Sequence, residues 1–243
     1  MASQSETGHA KNVATFNTLI SFCQGYGSQY QPAVAALGIA NLQSQLAAAE
    51  NALNESKKKQ LDFNKVVDER MNAFEPLKPL AQKMMAALSA SGVSSQTTEG
   101  AKTIYRKLQG RRAGKIQATE NATPDTPKNI SVSQLSYDNQ MANFGALIEL
   151  FSTLPEYKPN ETELQISSLT TYLIQLKTAN NAVTEAYTAW SNSRISRDEI
   201  LYGKNGGMVD TALQVKNYVK SVFGNSSPQY QQISALQLVR IAH

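Results

Sequence analysis

One long heptad seam occurs twice in this chain, 127 residues apart and without a gap. Tyr30 and Pro32 recur as Tyr157 and Pro159; Ile39, Leu42 and Leu46 recur as Ile166, Leu169 and Leu173. Phe63 is matched by Trp190, and Phe74 by Leu201. In the first copy, positions 39, 42, 46, 49, 53, 56, 60, 63, 67, 70 and 74 step alternately by three and four, and positions 166 to 201 repeat the pattern. Such steps keep one stripe of a helix facing its neighbours, as in knobs-into-holes packing. An internal repeat constrains architecture before any single residue does. The expectation is an all-α fold: a duplicated, elongated helical bundle of two similar units, each with one long helix and several shorter ones. About 43 residues per long helix, at 1.5 Å each, would span about 64 Å.

Punctuation in the sequence places the other helices. Pro32 and Pro159 stand where a helix can begin, since a missing N–H is harmless in a first turn. The long helices are therefore expected over 33–75 and 160–202. Pro76 and Pro79 stop the first, and Gly203, Gly206 and Gly207 stop the second. Shorter helices are expected at 12–25 and its echo 139–153, at Leu77–Ala90 and Met208–Phe223, and at 95–109 and 227–241. The serine-rich turns SGVSSQ and GNSSPQ offer N-caps for that last pair. No window alternates with period two between hairpin turns, so no strand is expected. The domain reading is a tail at 1–11, a unit at 12–110, a polar linker with Pro124 and Pro127 at 111–136, and a second unit at 137–243.

Apolar residues make up 41% of the chain, which suits long, partly solvated helices better than a thick core. The start lacks an apolar signal region and no run approaches a membrane span, so the default localisation is cytoplasmic, with export by another route left open. Cys23 is the single cysteine and sits in an apolar helical stretch, where a buried thiol is expected.

Chemistry is sparse. His9 and His243 are the two histidines, both in the expected tails, and neither a metal cluster nor a nucleophile–base arrangement can be assembled from them. No P-loop motif is present. The expectation is no catalytic residue, no cofactor and no metal. The acidic pairs Asp68–Glu69 and Asp198–Glu199 flank Arg70 and Arg197, and ion pairing beside the seam is expected. Arg70, Arg194 and Arg197 on the seam would set register. Phe63, Tyr187 and Trp190 are assigned to the core.

The one local charge excess lies at residues 101–130. There seven basic residues oppose Glu120 and Asp125, a net +5 in a chain of +4 overall. Lys102, Arg106, Lys107, Arg111, Arg112 and Lys115 are therefore the candidate interaction residues, toward nucleic acid, another anionic surface or a second copy. Only Tyr105 interleaves them, and no nucleic-acid module is matched.

The segments TGHAKNVATFNTLI (7–20), KLQGRR (107–112) and YVKSVFGNSSPQYQQIS (218–234) resemble a group of uncharacterised all-helical proteins of Bacteroidetes bacteria. That resemblance implies a bacterial origin and transfers no catalytic or binding residue. The leading functional expectation is a non-catalytic structural or scaffold protein that associates with itself, as a homo-oligomer, filament or larger array. A helical module binding a polyanion through residues 102–115 is the alternative. A membrane-active helical toxin is the third reading, and the chain shows no apolar hairpin or tongue for it.

Overall fold

A computed structural model describes residues 8–110, 135–204 and 206–241. Among these are eight α-helices and no strand. They are α1 (His9–Gly25), α2 (Ile39–Phe74), α3 (Leu77–Ala90), α4 (Ser95–Gln109), α5 (Tyr137–Ser152), α6 (Ile166–Tyr202), α7 (Met208–Phe223) and α8 (Pro228–Ser234). The protein is an all-α helical bundle. The ends of α2 and α6, and both ends of α3, α4 and α7, fall at or within a residue of the expected positions, because their breakers and caps are local. Ser94 Oγ accepts the Thr97 N–H at 3.1 Å, and Ser227 Oγ accepts that of Tyr230 at 3.1 Å. Gly207 caps the start of α7, where nothing larger fits: a Cβ there would lie 2.5 Å from Gly203 N.

Three expectations need correction. The long helices start at Ile39 and Ile166, six residues later than the prolines suggest. Each is preceded by a 3₁₀ turn, Ala35–Leu37 or Thr162–Leu164. The Tyr30 hydroxyl donates to Leu37 O at 2.7 Å and the Tyr157 hydroxyl to Leu164 O at 3.0 Å. A buried side-chain bond thus fixes the turn, and Leu37 and Leu164 enter the core from it. The expected tail also ends earlier than thought, since His9–Lys11 already belong to α1. The last helix stops at Ser234 rather than continuing to 241.

The fold's packing does not follow the boundaries 12–110 and 137–243. One compact unit takes residues up to Phe63 together with those from Ala186 onward; the other is Asn64–Glu185. Each unit therefore draws on both sequence repeats. In the first, α1 packs on α7 and α8, beside the start of α2 and the end of α6. In the second, α5 packs on α4, which lies on α3, beside the end of α2 and the start of α6. The reason is geometric. Within each unit the two long helices run antiparallel: in the first, Phe63 stacks on Trp190 (ring centroids 5.4 Å), while Gln45, earlier in α2, reaches Gly206 just past the end of α6. In the second unit, Arg70 Nη1 donates to Asn180 Oδ1, and the Tyr172 hydroxyl to Ala73 O. An antiparallel partner brings the start of one repeat against the end of the other, so neighbours in space come from different repeats.

Core positions match between the repeats. Leu42 and Leu169 are fully buried, as are Ala49 and Leu176. Leu46 and Leu173 are both half-buried, and Gln60 and Tyr187 both exposed. The last pair corrects the assignment of Tyr187 to the core. Phe16 and Leu19 of α1 correspond to Phe144 and Leu147 of α5, all fully buried. In α3 and α7 the pairs Leu77/Met208, Ala81/Ala212, Met84/Val215 and Leu88/Val219 are likewise fully buried. Burying one of the larger side chains among these, Leu, Val, Met or Phe, contributes about 1.5–3 kcal/mol.

Candidate functional site

The basic residues come first, because the sequence singles them out. Lys102, Arg106 and Lys107 lie on α4; Arg111, Arg112 and Lys115 lie outside the described residues. Glu99, one turn before Lys102, engages two of them: Lys102 Nζ at 2.7 Å and Arg106 Nη2 at 3.9 Å. The hydrogen bond from Lys102 holds the Glu99 carboxyl below its ordinary pKa. Two of the three described cations are therefore paired within their own helix, at an exposed face where such pairs add little stability. Lys107 is exposed near the end of α4, and its carbonyl accepts the Gly110 N–H at 3.0 Å. Gly110 sits in the left-handed region (φ 70°) and touches Leu135, which a Cβ would meet at 2.7 Å. Gly110 and Leu135, the described residues on either side of 111–134, thus lie against each other.

The seam arginines do different jobs in the two units. Arg197, only 9% exposed, pairs with Asp198 at 2.8 Å, as the acidic flanking residues suggest. Arg70 instead lies over the Tyr137 ring, 4.0 Å from its centroid, and donates to Asn180, which in turn donates to Asp138 at 3.1 Å. Arg194 lies 5.4 Å over Trp190. Arg70 thus reaches α5 and α6 from α2, whereas the Trp190 and Asp198 contacts of Arg194 and Arg197 lie within α6 and fix no register between helices.

A polar cluster that sequence reading missed lies where α1, the end of α6 and α7 meet. Asn12 of α1 is 3% exposed. Its amide donates to Val239 O at 2.7 Å and to the Tyr202 hydroxyl at 3.1 Å, while its Oδ1 accepts the Val239 N–H at 3.0 Å. His9 Nδ1 is 2.8 Å from the same hydroxyl, so His9 belongs to the folded body and not to a tail. Burial raises the pKa of Tyr202, with Asp198 adding to the shift. Beyond α8, residues 235–241 run as a non-helical strap across this corner. Lys216 Nζ donates to Leu236 O, and Arg240 donates to Tyr202 O and to the Asp210 carboxylate. Burial lowers the Lys216 pKa. Leu236, Leu238 and Ile241 pack against the core of the first unit.

The strap explains why the last helix is short. Side chains of α1 and α7 take the strap's backbone N–H and C=O groups, which would otherwise close helical turns. One sequence signal pointed here: Asn12 and Phe16 lie four residues apart on the apolar face of α1, and a polar side chain in such a place needs a partner.

A shallow cavity of about 340 Å³ lies beside the α6–α7 turn, lined by residues including Gln45, Glu199, Lys204 and Gly207. Its polar groups serve the turn itself: Gln45 Nε2 donates to Gly206 O at 2.8 Å, and Glu199 O accepts the Gly203 N–H at 2.8 Å. Cys23 is buried, and burial raises its thiol pKa to about 11, so it is protonated at neutral pH. Among the described residues, no group of three or more His, Cys, Asp or Glu could hold a metal ion, and no helix is long and apolar enough to cross a membrane.

No protein-family model, curated protein or solved structure matches the chain.

Proposed function

We propose that this protein is a non-catalytic helical scaffold that works by associating with further copies of itself, in a bacterial setting. The observation that carries this reading is the construction of each unit from both repeats. A core whose pieces are donated by separate stretches of one chain is one that a second chain can also complete, the low-barrier route to oligomers known as swapping. The titratable groups support the same reading. Cys23 is held as a thiol, His9 is bonded to Tyr202, and Lys102 and Glu99 are paired with each other.

Analytical ultracentrifugation across a wide concentration range, with electron microscopy of the same samples, tests it. Association should rise with concentration without any added polymer. A single monomeric species throughout would overturn the reading.

The polyanion-binding alternative rests on the basic residues of segment 102–115, of which Arg106 and Lys107 are exposed on α4. Lys102 and Arg106 already have an acidic partner in Glu99, which offsets part of the positive charge a polyanion would meet. A gel shift with nucleic acid at low salt separates the two readings: binding that falls steeply with salt would favour the alternative.

A further inference from the structure

The strap at residues 235–241 departs from what its own sequence favours. Ile233, Leu236 and Val239 recur at helical spacing, and the equivalent place in the second unit is filled by the 15-residue helix α4. Here the helix ends after seven residues and the chain continues outside any helix. A segment held against its local preference is held by its surroundings. Those surroundings are mostly polar and read the backbone. The Asn12 amide takes both the N–H and the C=O of Val239, and Lys216 takes the Leu236 carbonyl. The apolar contribution is smaller: Leu236, Leu238 and Ile241 are only partly buried and Val239 is 45% exposed.

Such a groove recognises an extended segment through main-chain bonds, with side chains adding specificity. This is the physics by which folded domains bind extended peptides. We propose that this groove is an intermolecular docking site, and that its occupant in the associated protein is residues 235–241 of a second copy. This proposal rests on the self-association reading and gives it a contact.

Three features support that occupant. Every contact needed is already present within one chain, so a second copy brings a segment of matching chemistry. The ion pair from Arg240 to Asp210 supplies charge complementarity specific to this sequence. No residue of the strap is fully buried, whereas every helix of the unit contributes at least one buried residue. A segment that leaves its own groove empties a site that another copy's segment fits, and repetition links chains head to tail.

The test locks the strap at home in the full-length protein. Asp210→Cys with Arg240→Cys, bridged by a short bis-maleimide at low protein concentration, ties the strap across its groove. Cys23, buried and held as a thiol, does not compete for the reagent. The bridged and unbridged forms of this one variant are compared by sedimentation, and by anisotropy with a fluorescein-labelled peptide of sequence ISALQLVRI (residues 233–241). The bridged form should remain monomeric where the unbridged form associates, and should bind the peptide at least tenfold more weakly. Equal association of the two forms would overturn strap exchange and leave self-association standing. Equal peptide binding would place the peptide's site elsewhere and also overturn the exchange. Absence of association in both forms and in the parent would overturn the self-association reading itself, and exchange between copies with it. Should the double variant not fold by circular dichroism, the parent supplies the measurement. Excess unlabelled peptide should dissolve its assemblies, and assemblies indifferent to the peptide would sink the proposal.

Discussion

The two compact units share a blueprint and differ in how they are finished. In both, a short helix from one repeat packs on shorter helices of the other, α1 on α7 and α8 and α5 on α4, beside antiparallel long helices. In both, a buried tyrosine hydroxyl fixes the 3₁₀ turn before a long helix. The second unit is completed by the full helix α4, the first by seven residues of α8 and a strap pinned by Asn12. Gln140, the counterpart of Asn12 on α5, also captures a backbone carbonyl, that of Leu135 at 2.8 Å, but does so at an exposed site. Phe151 fills the place that Cys23 holds in the first unit. Repeated apolar positions thus set the framework twice, while a few unrepeated polar residues decide how each unit is closed.

The largest effect should come from separating the repeats. If each unit needs both, then residues 1–118 and 119–243 made as separate chains should each lack most of the parent's cooperative unfolding, and recover it on mixing. Independent folding of either fragment as a monomer would break the comparison at its root.

Next come equivalent core residues. Phe16→Ala and Phe144→Ala should each lower the unfolding free energy by about 3–5 kcal/mol, because each leaves a cavity in a fully buried place. Denaturant titration should give similar losses. A loss confined to one variant would show that only one unit relies on this position.

The pinning residues should behave unequally. Asn12→Ala removes a buried amide with three partners and should cost about 2–3 kcal/mol, whereas Gln140→Ala at its exposed site should cost below about 0.5 kcal/mol. Hydrogen exchange should show lost protection at Val239 in the first variant. Equal costs would mean that the strap contributes no more than the exposed contact.

A smaller and symmetric effect is expected at the turns. Tyr30→Phe and Tyr157→Phe each leave a buried carbonyl unpaired and should cost about 1–2 kcal/mol apiece. A marked inequality would indicate that the two turns are not equivalent.

Alkaline pH should discriminate the units most gently. Burial raises Cys23 to about 11 and Tyr26 to about 12, and shifts Tyr30 and Tyr202 upward, in the first unit. In the second it raises Tyr157 and Tyr172 to about 12. A raised folded pKa favours the protonated form in the fold. The stability is complete below the unfolded values of about 8.5 for Cys and about 10 for Tyr, and is lost as pH climbs toward the folded ones. Amide exchange should therefore accelerate in the first unit before the second as pH passes about 10. The reverse order would overturn the assignment of the raised groups.

Helix identity and most helix ends were legible in the sequence, because period, caps and breakers act over a few residues. The alternation at positions 39 to 74 and 166 to 201, Pro76, Ser94, the glycines after Tyr202 and Ser227 all operate locally. Of the candidate interaction residues, the sequence located the charge of Lys102, Arg106 and Lys107 but not the ion pairing of the first two to Glu99, which depends on which helical face each occupies. Only tertiary structure decided which repeat packs with which, since antiparallel pairing of α2 and α6 exchanges partners without altering any local pattern. It also decided where α2, α6 and α8 begin or end. Tyr30 must meet Leu37, Tyr157 must meet Leu164, and Asn12 must meet Val239 across 227 residues of sequence. Backbone groups go to whichever partner satisfies them in the folded state, and a partner that distant leaves no trace in local periodicity.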